Sequence, residues 1–455
     1  MKSYSLICGK MTLFFFSILI LSVCSERQDV DTSQEQETMK MFRRQVRSIN
    51  VSTIGSFLLS SNQYFDTLIH NNQIVGLGES THGTHESSVI NCTIIKYLIK
   101  YKNCKTLCIE GDYSSGQALN QYVLGETEKS QQLLSSFART QPDEPFRQVI
   151  EWIKEYNTQC RPQERVQVFG LGFYGHNIAA THVFEFLKHY DSLYYTSISS
   201  KYHVFTQQWD FNFNSTSSDS LKNWTQIAKE IQHHLQAQKN NYSRVVSLDT
   251  VEKIIHYSDI VVQNIARPLE KSFSDNITFR FFDKYRDSCL NVNAQWVIDN
   301  YSSQKCAAIW AHNGHIAKRV EGSDTKSSVS YSRLGKYLEE KYSDRYFAIG
   351  QTFFEGKIRV MNDQGKDVID SERPPEQSIE FMLEKIQIPS FVIDIRKNKK
   401  DLQFFNQYLP MRMVGIKKTV NHREFSMTNI VQEFDALIFL NKTTAQKPIQ
   451  INLVR

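Results

Sequence analysis

The sequence predicts an α/β fold: a mostly parallel central sheet flanked by helices, with a helical insertion. Three observations carry this. Short apolar runs of strand length recur along the chain, bounded by polar or Gly-containing turns. Between them lie long stretches with apolar residues at helical spacing. The stretch from about 185 to 280 lacks strong strand runs and is polar, which marks the insertion.

Taken in order, Met1 to Lys10 contains Lys2 and Lys10 and no acid, and Met11 to Val23 is almost continuously apolar before Cys24 and Ser25. A basic start, a short apolar core and a small-residue exit read as a secretory signal peptide over 1–25. An apolar core this short falls below the roughly 20 residues that span a bilayer as a helix. The expected product is a secreted, extracellular protein with no membrane span after signal cleavage. Residues 26–45 are polar and charged and read as a flexible lead-in; 46–455 is then a single domain.

Gln73 to Leu77 (QIVGL) is the first buried strand. Thr84 to Tyr101 places apolar residues at 89, 90, 94, 95, 98 and 99, a helix, and Thr106 to Ile109 (TLCI) is the next strand. This is a β-α-β unit, which builds parallel sheet by right-handed crossover. Further strands are expected at Val166–Gly170, Ala307–Ala311, Tyr346–Gly350, Phe391–Ile395 and Ala436–Leu440.

Of 455 residues, 40% are hydrophobic and 12% aromatic, enough for a sizeable core and too much for wholesale disorder. The formal charge of +5, about +3 without the signal, is too mild to argue for nucleic acid or an anionic membrane. Six cysteines remain after the signal: Cys92, Cys104, Cys108, Cys160, Cys289 and Cys306. In an oxidising compartment they permit disulfides, with the pairing open. Cys104 and Cys108 on one strand would stand about 13 Å apart, too far to pair with each other. No CxxC occurs, so a thiolate zinc site is disfavoured. Sequons at Asn50, Asn91, Asn214, Asn223, Asn241, Asn276, Asn300 and Asn441 fit a secreted glycoprotein, although an Asn- and Ser-rich chain produces several by chance.

The chemistry concentrates at strand exits. Gly76-Leu-Gly-Glu-Ser-Thr-His-Gly-Thr-His-Glu86 leaves the first strand and opens a helix. Ser80 and Thr81 suit N-caps there. Glu79, His82, His85 and Glu86 crowd into one turn at the carboxyl end of a parallel strand, where open α/β sheets bind ligands. The plainer alternative is a helix cap with solvated charges. Glu110 ends the next strand in Glu-Gly-Asp, on the same sheet edge. Trp310-Ala-His-Asn-Gly-His315 puts His312 and His315 at a third exit. Arg286 and Asp287 open the helix that leads there, with an exposed ion pair as the alternative. No Walker loop, GxSxG elbow or dinucleotide fingerprint is present.

GLGESTHGTHE, the EGD after the second strand and IWAHNGHI together resemble the erythromycin esterase family. Glu151 to Asn157 before a strand ending in Gly, Arg286 to Asn293 and Phe434 to Ile438 agree, over about residues 45 to 445. The resemblance implies hydrolysis of an ester or lactone, a small-molecule substrate, by histidine-activated water without a serine nucleophile. It implies His82 as the base, with Glu79, Glu110 and His312 as catalytic partners. His85, Glu86, Arg286 and His315 are expected to bind substrate, Arg286 or a second histidine stabilising the oxyanion. The chain departs from the family at Asn91, where a basic residue is frequent, and at Phe173, where an Asp is. No cofactor is required. A divalent metal stays open, because four histidines and several acids at one edge could hold one. A metal-dependent hydrolase or protease of a distantly related GxxH/Glu group is one alternative, and a non-catalytic ligand-binding protein is another.

Overall fold

The computed structural model describes residue 40 and residues 42–54, 64–70, 73–128, 143–207, 216–267, 276–302, 306–321, 331–362, 365–415 and 424–449. The expected signal segment lies outside them, as do Asn214 and most of the lead-in.

The central sheet runs β1–β10–β13–β8–β2–β5–β3–β4, with β9 paired to β8. These strands are β1 (Arg47–Ser48), β2 (Ile74–Leu77), β3 (Thr106–Asp112), β4 (Gln167–Gly172), β5 (Ala307–Trp310), β8 (Tyr346–Asn362), β9 (Gly365–Asp370), β10 (Ser390–Asp394) and β13 (Ala436–Thr443). From β13 through β8, β2, β5 and β3 to β4 every pairing is parallel; β1, β10 and β9 are antiparallel additions. Two ribbons stand apart, β6 (Val320–Glu321) with β7 (Tyr331–Ser332), and β11 (Leu409–Arg412) with β12 (Phe425–Thr428).

The central strands read as unbroken apolar runs because both faces are covered. Val75, Leu107, Ala308 and Ile349 face one apolar layer, which includes α1 (His85–Tyr101) and α3 (Glu144–Thr158). The alternate residues Ile74, Cys108, Ile309 and Ala348 face the other, with α8 (Asn276–Tyr301) and α9 (Leu334–Tyr342). Between β3 and β4 comes α2 (Tyr113–Val123). The expected insertion is helical in its described parts: α4 (His176–Tyr190), α5 (Ser192–Tyr202), α6 (Ser218–Ala237) and α7 (Leu248–Ile265) share their own apolar cluster. No helix among the described residues is long and apolar enough to cross a membrane.

Packing begins slightly before the expected boundary at 46. Phe42 is buried, its ring 5.2 Å from that of Phe405. All six expected cysteines are free thiols, and five are buried. Asn91 is wholly buried, whereas Asn223, Asn241 and Asn300 are exposed.

Candidate functional site

The crossover from β2 through α1 to β3 skips one sheet position, and β5 fills it. The exits of β2, β5 and β3 therefore lie side by side. They carry Glu79 and His82, His312 and His315, and Glu110, at the sheet edge where the sequence placed them.

The turn after β2 is shaped by close backbone approach. A Cβ on Gly83 would sit 1.9 Å from the Arg359 carbonyl oxygen, and one on Gly78 would sit 2.2 Å from Asn313 Oδ1. Only glycine fits either place. Ser80 and Thr81 are not helix caps, contrary to expectation. The helix begins at His85 with Thr84 as its N-cap, because the chain first makes a tight turn. Thr81 Oγ1 donates to the Gly415 carbonyl (3.0 Å), and Ser80 Oγ is buried without a hydrogen-bond partner among the described residues.

Glu79 and His82 form a short pair, Oε1 to Nδ1 at 2.5 Å, with both side chains about nine-tenths buried. Burial disfavours the charged ring, yet Glu79 beside it outweighs this and lifts the His82 pKa above its ordinary value, with help from Glu110. The carboxylate holds the proton on Nδ1. His82 Nε2 is thereby a bare acceptor, and no described residue takes it as a hydrogen-bond partner.

His312 is different. Gly314 N–H donates to its Nδ1 and its Nε2 donates to the Ser80 carbonyl, both at 3.2 Å. A backbone N–H can only donate and a carbonyl only accept, so the ring is neutral with its proton on Nε2. Burial and the neighbouring His82 push its pKa down to about 3. Its ring centroid lies 5.5 Å from that of His82. Its backbone N–H reaches Glu110 Oε2 at 2.7 Å.

Glu110 Oε1 meets Arg286 Nη2 at 2.5 Å and His315 Nε2 at 3.3 Å. Burial would raise its pKa, but His315 and Arg286 hold it well below the usual carboxylate range. Arg286 and Asp287 stand well inside α8 instead of opening it, and both face the site. His315 Nδ1 donates to Asp287 Oδ1 at 2.9 Å, and Arg286 Nη1 stands 2.5 Å from His315 Nε2. Burial disfavours a charged His315, but Asp287 and Glu110 outweigh it and lift its pKa to about 9, against Arg286. A guanidinium nitrogen carries only hydrogens, so the 2.5 Å contact needs a bare Nε2. Ring protonation and a docked Arg286 therefore exclude each other.

His85 and Glu86 are half-buried in the first turn of α1. The His85 ring makes no hydrogen bond to another described residue. Glu86 Oε2 and Oε1 accept from Thr444 N and Oγ1, each at 2.7 Å. With Gln446 N on the Gly83 carbonyl (2.8 Å), this ties the chain beyond β13 across the turn. Glu86 is thus held by a structural contact that sequence spacing could not announce, since the partner is 358 residues away. The Arg333 contact to Asp287 (2.8 Å) likewise has no local signal.

As a metal centre the cluster fits poorly. Both His312 nitrogens and His315 Nδ1 are committed, a guanidinium sits among the carboxylates, and among the described residues no three potential ligands are grouped to hold an ion.

Known proteins agree with this architecture. The chain is 22% identical to erythromycin esterase type II of Escherichia coli over 74% of its length and 84% of that protein's. It is 24% identical to YbfO of Bacillus subtilis strain 168, named as a hydrolase, over 74% of its own length and 78% of that protein's. A crystal structure from Bacillus cereus superposes with a TM-score of 0.79 at 20% identity, covering 91% of this chain and 99% of that one. A mutant erythromycin esterase in its open conformation gives 0.68 at 16%, covering 90% and 100%. The profile of the erythromycin esterase family matches residues 99–443, most of the sequence, and the chain belongs to that family.

Proposed function

We propose that the protein is a secreted hydrolase that opens a carboxylic ester or lactone with water activated by His82, without a serine nucleophile. The observation that carries this is the Glu79–His82 pair, which leaves Nε2 as an acceptor with no hydrogen-bond partner among the described residues. In the reaction Nε2 takes a proton from water while the oxygen adds to the acyl carbon. Glu79 stabilises the imidazolium that forms. The same proton then passes to the departing alkoxide, giving acid and alcohol.

Arg286 is the oxyanion partner. Its guanidinium has five N–H bonds, and the contacts to Glu110 and His315 leave some of them for a substrate oxygen. His312, with both nitrogens on backbone, pins the β5 exit to the β2 turn and takes no proton. Glu110 aims Arg286 and the His312 backbone. The half-buried His85 ring makes no hydrogen bond to another described residue and suits substrate contact; Glu86 acts by tethering.

A screen of purified protein on p-nitrophenyl esters and simple lactones, with and without a chelator, tests the proposal. Hydrolysis that persists with chelator, and shows no acyl-enzyme burst, supports it. Hydrolysis silenced by chelator favours the metal-dependent alternative. Tight ligand binding with no turnover favours the non-catalytic one. Secretion rests on the apolar segment before Cys24, and N-terminal sequencing that finds Met1 intact would refute it.

A further inference from the structure

Behind His315 lies a buried relay on residues outside the strand-exit motifs. Asp287 is fully buried and accepts three hydrogen bonds. Its Oδ1 takes His315 Nδ1–H (2.9 Å) and Leu334 N–H (3.0 Å), and its Oδ2 takes Arg333 Nη1–H (2.8 Å). Arg333 and Leu334 are consecutive, at the passage from β7 into α9. Arg333 is itself held on several sides. Nη1 also meets Asp283 Oδ2 at 3.0 Å, and Nε and Nη2 meet Glu321 Oε2 at 3.3 and 3.2 Å. The Tyr331 ring lies 5.0 Å from the guanidinium.

A carboxylate gripped at both oxygens from different directions cannot turn without breaking a contact. The Nδ1–H of His315 therefore has one direction to donate in, and the opposite ring nitrogen has one place to point, towards Arg286 and Glu110. Burial would raise the Asp287 pKa, but His315 and Arg333 outweigh it and hold the carboxyl at about 2, ionised throughout the working range.

We propose that Arg333 is a positioning residue, which fixes the His315 ring through Asp287 and so sets the direction of Arg286. The kinetic consequence rests on the hydrolase reading; the structural one does not. A lysine could supply charge to Asp287 but not the fork that reaches Asp283 and Glu321 at once.

The test uses the full chain with Arg333→Met, Arg333→Lys and Arg333→Ala, each checked for a cooperative melt. Two readouts are taken: kcat and KM on a p-nitrophenyl ester, and the hydrogen-bonded Nδ1–H proton of His315 by NMR of histidine-labelled protein. Misdirecting an active-site group by about 1 Å can cost on the order of 100-fold. Arg333→Met should lose about that in kcat with KM little changed, and should shift or erase the proton resonance. Arg333→Lys should fall between, and added guanidinium should restore part of kcat in Arg333→Ala. A folded Arg333→Met with the resonance unmoved overturns the proposal, whatever happens to kcat. If the wild type turns over no ester yet the resonance moves in Arg333→Met, the relay stands and the hydrolase reading fails. Should Arg333→Met not fold, Glu321→Gln is read instead. It leaves Asp287 intact and should displace the same resonance in part; an unmoved resonance there also overturns the proposal.

Discussion

Glu79→Gln is the sharpest test of the proposed base. The substitution keeps size and shape but removes the charge 2.5 Å from His82 Nδ1. Two opposed effects set the His82 pKa, burial pushing it down and Glu79 pulling it up, and the second prevails. A neutral amide in place of the carboxylate would leave burial unopposed by its main counterweight, so the pKa must fall. A hydrogen bond to a charged group contributes about 1.5–3 kcal/mol, and that stabilisation of the imidazolium is what the amide forfeits. A base is active when deprotonated. The acid limb of kcat/KM should therefore move to lower pH, while the plateau drops because the weaker base loses both driving force and orientation. General-base catalysis supplies about 10² to 10⁴-fold, and loss of the orienting carboxylate should remove about 10²-fold of it. The assay is a pH profile of kcat/KM on a p-nitrophenyl ester, with thermal melts to confirm the fold. An unshifted acid limb with a wild-type plateau would refute the reasoning, since Glu79 would then neither tune nor orient the base.

Three further outcomes are expected. His82→Ala should abolish turnover with the melt intact, whereas Ser80→Ala should keep turnover and leave stability nearly unchanged, because the Ser80 hydroxyl has no partner to lose; the opposite pattern in the same ester assay would point to a serine nucleophile. Glu86→Ala breaks two hydrogen bonds to Thr444 at a partly exposed place and should cost about 1 kcal/mol, seen as a lower midpoint in urea. If the protein is secreted, glycopeptide mapping should find Asn91 bare, since it is wholly buried with its amide on the Gly78 carbonyl and its oxygen on Gln351; a glycan there would mean that the α1 packing is wrong.

Asn91 also shows how one departure from the family is absorbed. Its side chain donates to Gly78 O at 3.3 Å and accepts from Gln351 Nε2 at 2.6 Å. At this place the chain has a neutral bridge between the β2 exit and β8.

The strands and their parallel core were legible in the chain alone, because a strand covered on both faces must be apolar along its whole length, and that is a local property. Legible too was which polar residues crowd the strand exits. Glu79, His82, Glu110, His312 and His315 are adjacent in space because each ends a short apolar run, and sheet formation aligns such ends whatever lies between them. The order of strands, with β5 between β2 and β3, emerged only on folding, since nothing local records a neighbour some 200 residues away. So did the roles within the cluster. His82 and His312 are alike in sequence, but one is left with a bare nitrogen beside a carboxylate and the other has both nitrogens bound by backbone. That difference depends on the directions of a carbonyl and an N–H in a folded turn. Glu86 and Arg333 follow the same logic: the partners that define them, Thr444 and Asp287, come from distant segments, and long-range contacts of this kind leave no periodicity in the chain to read.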